Sequence, residues 1–323
     1  SELDLRHGVV VVAVGADEFK PEEYLYGKDD RVMTHLELDQ AMGNKDKRLT
    51  DTETAVFIQC VGSREPERPY CSKVCCTHTM KSALQLRELN PEMNIYVLYR
   101  DIRTYGQREA LYREARGKGI IFLRYSLEQK PKVETGEHGI SVTVKDHVLG
   151  RDVILQPDLL VLASGIIPKD NGSLAQMFKL PLNEDGFFME AHAKLRPVEF
   201  ATDGIFLAGM AHYPKPIEES IAQAKAAASR ASVVLSQKEM SVEGVVAHVN
   251  EMLCRGCGEC EKVCPYSAIS LVEQEGGVIL SHVQEALCKG CGSCAVACPT
   301  GAASLYHFDD EEVLTMVVSA LEV

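Results

Sequence analysis

Leu253-Cys254-Arg255-Gly256-Cys257-Gly258-Glu259-Cys260 returns 34 residues later as Leu287-Cys288-Lys289-Gly290-Cys291-Gly292-Ser293-Cys294. Each copy continues to a Cys-Pro pair, Cys264-Pro265 and Cys298-Pro299, and then into Ala268-Ile269-Ser270-Leu271 or Ala302-Ala303-Ser304-Leu305, short strand-like tails. The repeat predicts a small pseudo-symmetric domain. Its spacing, C-x2-C-x2-C-x3-C-P, packs four thiolates into eleven residues, so they must converge on something local. In this pattern three close cysteines wrap one cubane and the fourth reaches the neighbouring cluster. Cys254, Cys257, Cys260 and Cys298 are therefore expected to hold one [4Fe–4S] cluster, and Cys288, Cys291, Cys294 and Cys264 the other. The exchanged fourth ligands bring the two cubanes close enough for rapid electron hopping, and the glycines free backbone amides to approach the cluster sulfurs. Structural zinc asks for two Cys pairs across a longer loop and does not account for the doubled run.

Outward from this repeat, the other cysteines are Cys60, Cys71, Cys75 and Cys76 of a total of twelve. An even count in a secreted chain suggests disulfides, but the spacings here are those of metal ligands. Cys60 ends the apolar run Ala55-Val56-Phe57-Ile58-Gln59, Cys71 falls in a loop, and Cys75 and Cys76 open a helix-like segment of about 73–89. A helix N-terminus is expected to lower their thiol pKa. All four would meet at the C-terminal edge of a strand, where open α/β sheets bind ligands. Adjacent cysteines on one cluster are unusual, so three readings stand at this point: a third cluster, a redox-active thiol pair, or buried inert thiols.

Strand and helix patterns alternate from Thr54 to Pro168: strands at 55–59, 94–99, 120–124 and 159–163, helices at about 73–89 and 108–118. That order argues for βαβ units around a parallel sheet. The dinucleotide fingerprint G-x-G-x-x-G is missing after the first of these strands. Cys60-Val61-Gly62-Ser63 stands there instead, which reads as a phosphate site replaced by a thiolate site and argues against nicotinamide binding. Val12-Ala13-Val14-Gly15 and Leu162-Ala163-Ser164-Gly165 look like the strand-then-glycine crossings of flavoproteins with two dinucleotide domains. Thr202-Asp203-Gly204-Ile205-Phe206-Leu207-Ala208-Gly209 looks like their C-terminal flavin segment. A helix of about 216–235 follows, opened by Pro216 with Glu218 and Glu219 in its first turn.

Together these residues resemble the A-type FAD/iron–sulfur subunits of heterodisulfide reductase and their relatives. The resemblance implies an α/β, Rossmann-like fold of thioredoxin-reductase type, incomplete, followed by an α+β ferredoxin-like domain with two [4Fe–4S] clusters. It divides the chain into residues 1–50 (end of the first flavin-domain part and connector), 51–168 (inserted Rossmann-like domain with the four-cysteine site), 169–240 (C-terminal flavin-domain segment) and 241–323 (ferredoxin domain and tail). It implies a third [4Fe–4S] cluster on Cys60, Cys71, Cys75 and Cys76. It also implies FAD, contacted by Gly209, Met210, Lys215, Ile217 and Glu218, with Lys215 beside the reactive edge of the flavin ring. Met210 stands where many relatives have an Asp for the ribityl chain, which puts that contact in doubt. The family's N-terminal half, with its own flavin fingerprint, is not seen, so a fragment, a truncated gene product or a split subunit is expected, holding flavin weakly or not at all by itself.

The function implied is that of an FAD/iron–sulfur oxidoreductase subunit, with flavin-based electron bifurcation in the family. The implied partners are heterodisulfide reductase B/C-like subunits, ferredoxin, a hydrogenase or formate dehydrogenase electron-input subunit, and a second copy of the chain. Two readings compete: a flavin-free iron–sulfur relay, and an NAD(P)H-dependent small subunit of the glutamate-synthase kind. The net charge is −13, and residues 245–323 carry 3 Lys/Arg against 11 Asp/Glu, a sign that repels nucleic acid and anionic lipid. No run is long enough for a spanning helix, and the start has no signal-peptide pattern, so a cytoplasmic location is expected. His78 and His212, near the cysteines and the flavin segment, read as structural.

Overall fold

Thr54–Val61 is the central strand of a five-stranded parallel sheet in a computed structural model that describes residues 7–136, 139–238, 244–274 and 276–321. The sheet runs, in space, Val32–Thr34, Leu159–Ser164, Thr54–Val61, Asn94–Tyr99 and Ile121–Arg124. The expected boundary at 240/241 lies outside the described residues, as do residues 1–6 and 322–323 of the terminal stretches.

The two central strands are buried along nearly their whole length, as parallel strands covered on both faces must be. Alternation sorts their side chains. Ala55, Phe57, Leu159 and Val161 face a layer of helices, with Met80, Ala83 and Leu86 of the Cys75–Leu89 helix packed on them. Val56, Ile58, Leu160 and Leu162 face the other way, onto Ile140, Val142, Val144 and Leu155. That second cover is an antiparallel meander of Lys132–Gly136, Gly139–Asp146 and Arg151–Leu155, which the sequence reading did not anticipate. Its period-2 signal is present in Ile140, Val142 and Val144, but charged residues and short strands dilute it.

The edge strand Val32–Thr34 comes from the first 50 residues. Thr34 then caps the His35–Gly43 helix in a reciprocal capping box with Glu37, satisfying two otherwise orphaned amides.

A second portion is built on Val10–Val12, paired in parallel with Ile205–Leu207. It is sealed by Phe188, Phe200 and Ala211 on one side and by Ala227 and Ala231 of the Ile217–Leu235 helix on the other. The chain passes between the two portions twice. The passages, Ala16–Glu18 and Ile166–Pro168, lie side by side as an antiparallel pair.

The C-terminal domain consists of two antiparallel strand pairs, Ala247–Val249 with Ala303–Leu305 and Ile269–Glu273 with Ile279–Val283, around two short helices, Glu259–Lys262 and Ser293–Ala297. The final helix, Asp310–Leu321, buries none of its described residues.

Candidate iron–sulfur and flavin sites

The repeat in sequence becomes a repeat in burial. Cys254, Cys257, Cys260 and Cys264 are half-buried, exposed, buried and half-buried, and Cys288, Cys291, Cys294 and Cys298 follow the same order. Cys264, Cys288, Cys291 and Cys294 line one small cavity together with Ala247, Ile269 and Leu305. Cys298 lies close enough to Cys254 to oppose its ionisation. Backbone amides point at the sulfurs: Ser281 N–H to Cys254 at 3.5 Å, Ala268 to Cys264 at 3.2 Å and Ala247 to Cys288 at 3.2 Å. Burial pushes the Cys254 thiol up, yet the amides of Ser281 and Gly256 outweigh it and leave the pKa below the usual thiol range. Cys298 is likewise raised by burial but lowered to about 7 by Thr300 and the amides of residues 300, 302 and 303. Hydrogen bonds of this kind favour thiolate, the form that ligates iron.

Glycine is demanded at two equivalent points. Gly256 and Gly290 have φ +62° and +61°. A Cβ on them would lie 2.3 Å from the Ile279 oxygen and 2.4 Å from the Val245 oxygen. Each cysteine loop thus presses its backbone against a neighbouring stretch of backbone. Among the described residues no three His, Cys, Asp or Glu side chains are arranged around a single metal ion, and none of the twelve cysteines forms a disulfide.

The second cysteine group lies at the carboxyl end of Thr54–Val61. Cys60 ends the strand in a left-handed conformation, φ +62°. Cys71 accepts the Lys73 amide at 3.3 Å. Cys75 and Cys76 begin the following helix, their sulfurs 3.5 Å from the Ser164 carbonyl and 3.7 Å from the Asp101 carbonyl. The four are close enough for the charges of Cys60 and Cys71 to raise the pKa of both Cys75 and Cys76. The expected lowering by the helix N-terminus is not what the structure gives. Burial dominates, pushing Cys75 well above the usual thiol range and Cys76 up to about 11. A buried thiol is costly to ionise unless a cation takes the proton's place.

Beside Cys75 lies a cavity of about 420 Å³. Its walls come from both portions of the chain: His35, Val74 and Cys75 on one side, Met210, Lys215 and Ile217 on the other, with Ser164 and Gly165 of the crossing between them. Lys215 is 8% exposed and donates to the carbonyls of Gly209 at 2.8 Å and Tyr213 at 2.9 Å. One N–H of its ammonium has no protein partner among the described residues. Burial, then the nearby Lys73, lowers its pKa to about 8. The Ser164 hydroxyl is buried without a partner. The Ile217–Leu235 helix begins at Pro216 with no side-chain cap, so its first amides are open. Of the flavin contacts expected from sequence, Met210, Lys215 and Ile217 line this cavity. Gly209 sits behind as the acceptor for Lys215, its amide donating to Gln223 at 2.9 Å. Glu218 turns away to pair with Arg108.

The histidines are held structurally. His212 is bonded to Glu190 and Gln223, each at 2.8 Å, and His78 to Asp39 at 3.0 Å while stacking on the buried His35. Sequence reading missed His35, Ser164, Arg64 and Arg100. Only Ser164 carried a signal, as the residue before the crossing glycine.

Residues 253–302 match the family of 4Fe-4S dicluster domains, and this domain carries two [4Fe–4S] clusters. Over 84% of its length the chain is 42% identical to an A-type iron-sulfur subunit of the CoB–CoM heterodisulfide reductase of Methanopyrus kandleri. It is 38% identical, over 86%, to the A-type subunit of the H(2)/formate:CoB-CoM heterodisulfide,ferredoxin reductase of Methanococcus maripaludis. The chain belongs to this family of heterodisulfide reductase subunits. It spans less than half of these relatives, 44% and 45% of their lengths. Among solved structures, the thioredoxin reductase of T. acidophilum aligns at TM-score 0.45 and 16% identity, over 70% of this chain and 64% of that one, a likeness too slight to argue from. Among the described residues no helix is long and apolar enough to cross a membrane.

Proposed function

We propose that this chain is the flavin- and cluster-bearing part of an electron-transfer subunit of a heterodisulfide-reductase-like complex. One observation carries the reading. A single cavity joins Cys75 of the inserted domain to Met210, Lys215 and Ile217 of the flavin segment, so a ring bound there would lie against a cluster ligand. The donor set fits such a ring: an ammonium with one free N–H, an unpartnered hydroxyl, open helix amides and apolar walls. FAD supplies a carrier that takes electrons in pairs and releases them singly. Lys215 and the helix N-terminus would stabilise negative charge on the reduced ring, and the apolar walls would exclude water.

In this reading Cys60, Cys71, Cys75 and Cys76 hold a third [4Fe–4S] cluster. Cys254, Cys257, Cys260 and Cys298 hold one ferredoxin-domain cluster, and Cys288, Cys291, Cys294 and Cys264 the other. The exposed apolar side chains Val11, Val14, Ile221 and Val233 offer a face for the rest of a flavin-binding domain, and FAD binding depends on that part. The M. maripaludis relative is named for hydrogen, formate, heterodisulfide and ferredoxin. The proposed partners are accordingly heterodisulfide reductase B/C-like subunits, ferredoxin, and a hydrogenase or formate dehydrogenase electron-input subunit. The proposed setting is the cytoplasm, with pairing to a second copy and electron bifurcation as further parts of the proposal.

The test is anaerobic purification of the chain together with its N-terminal complement, followed by iron, sulfide and flavin analysis. Stoichiometric FAD and three four-iron clusters are expected. Full cluster loading without flavin would instead favour the simple relay, and flavin reduction by NADPH would favour the nicotinamide-dependent alternative.

A further inference from the structure

Arg100 is 8% exposed, yet among the described residues its guanidinium has no carboxylate partner. It donates to the carbonyls of Ser63 at 2.6 Å, Arg64 at 2.7 Å and Cys60 at 3.5 Å, and its Nε is buried without any partner. A buried guanidinium held by carbonyls alone keeps a charge that no adjacent carboxylate balances, so an anion missing from the protein itself is the economical explanation. Arg64 adds to the imbalance. It adopts φ +59°, reaches Asp101 at 2.6 Å with one arm, and lies 4.0 Å from the Cys60 sulfur with the other. Asp101 is shared with Arg103 at 3.6 Å and Arg124 at 3.8 Å, so one carboxylate faces three guanidinium groups. The left-handed residues Cys60, Arg64 and Lys73 all fall in this cysteine loop, a concentration of backbone strain of the kind that marks functional sites.

We propose that Arg64 and Arg100 are the counter-cations of an iron–sulfur cluster at Cys60, Cys71, Cys75 and Cys76, and that Arg64 raises its reduction potential. The inference rests on the reading of these four cysteines as cluster ligands. Four thiolates around a [4Fe–4S] core leave a net anion, and one-electron reduction adds a further negative charge without a proton. Burial alone makes that step unfavourable. A fixed cation beside a sulfur, as Arg64 is to Cys60, stabilises the reduced form more than the oxidised one, and local charge is among the determinants of cluster potential. Arg100 also ties down the loop through three carbonyls. Arg64 is a positioning and tuning residue whose loop is already held by Arg100.

The experiment is an electron-paramagnetic-resonance redox titration of the full chain, loaded anaerobically with iron and sulfide. Cys71→Ser identifies the signal of this cluster. In Arg64→Gln its midpoint moves to more negative potential while the ferredoxin-domain clusters stay in place. Arg64→Lys, which keeps the charge, restores most of the shift. Asp101→Asn, which removes the competing negative charge, moves the midpoint the other way and serves even if Arg64→Gln sheds iron. A third cluster whose midpoint is the same in Arg64→Gln, Asp101→Asn and wild type would overturn the role of Arg64 and leave the cluster reading intact. A wild-type chain with only two four-iron clusters would overturn both.

Discussion

Gly256 and Gly290 carry the most local of the structural requirements. Alanine at Gly256 would adopt φ +62° with its Cβ 2.3 Å from a backbone oxygen, so the loop cannot close around its cluster. The expected result for Gly256→Ala is loss of one cluster's iron with retention of the other, read by iron and sulfide analysis. Gly301 provides the contrast: φ +67° but nothing within 4 Å of a built Cβ. Gly301→Ala should cost only the left-handed strain, about 1–2 kcal/mol, and leave iron content unchanged. Two buried titrating groups set separate pH windows of the same sign. Burial, then His78, holds His35 well below its ordinary pKa of 6.5. The unfolded chain therefore binds a proton that the folded one refuses, and stability falls as the pH drops below 6.5. Denaturant titrations should show that loss in wild type and a flatter response in His35→Gln. Lys215 loses its proton near pH 8 when folded and near 10.5 when unfolded. Between these values the unfolded state holds more protons, so the stability of wild type relative to Lys215→Gln should rise across that window.

At the scale of elements, the Ile217–Leu235 helix joins the two portions of the chain through its first turn. Glu219 accepts from Lys73 at 3.4 Å and Tyr105 at 3.3 Å, and Glu218 pairs with Arg108. These pairs are largely solvent-exposed, and such contacts are worth about 0–1 kcal/mol each. Replacing both glutamates by alanine should scarcely change the unfolding midpoint. Hydrogen exchange in the 101–108 loop should nevertheless accelerate, because that loop loses its fastening. The helix itself was legible in the sequence from Pro216 and the acidic first turn. The Cys75–Leu89 helix and the strands 94–99 and 159–164 were legible from apolar runs bounded by loop residues. The Lys132–Leu155 meander was not, since a sheet face covered by a second sheet, rather than by helices, leaves only a weak alternating signal. The raised thiol pKa of Cys75 and Cys76 runs against the helix-end expectation for a related reason: the helix end is local, but the sulfurs are covered by Ser164 at Cys75 and Asp101 at Cys76, both distant in sequence.

Across the whole molecule, the ferredoxin domain meets residues 169–240 through both of its repeats. Lys289, between Cys288 and Cys291, reaches Asp203 at 2.5 Å, and Lys179 donates to the Ser267 carbonyl at 2.8 Å. In this orientation both Cys257 and Cys291 stay exposed. Lys289→Glu should release the domain, seen as a larger radius of gyration in small-angle scattering at unchanged iron content. Combining it with Asp203→Lys should restore the compact form, because the pair is re-formed with its charges exchanged.

The paired ferredoxin clusters, the family and the parallel α/β order were decided by the sequence itself, because cubane ligation and βαβ patterning depend on spacings within a few tens of residues. The cavity shared by Cys75 and Lys215, the orphan hydroxyl of Ser164 and the unpaired charge of Arg100 were decided only by tertiary structure. Burial and electrostatics are summed over neighbours in space, and those neighbours are distant along the chain, as Cys75 is from both Ser164 and Lys215.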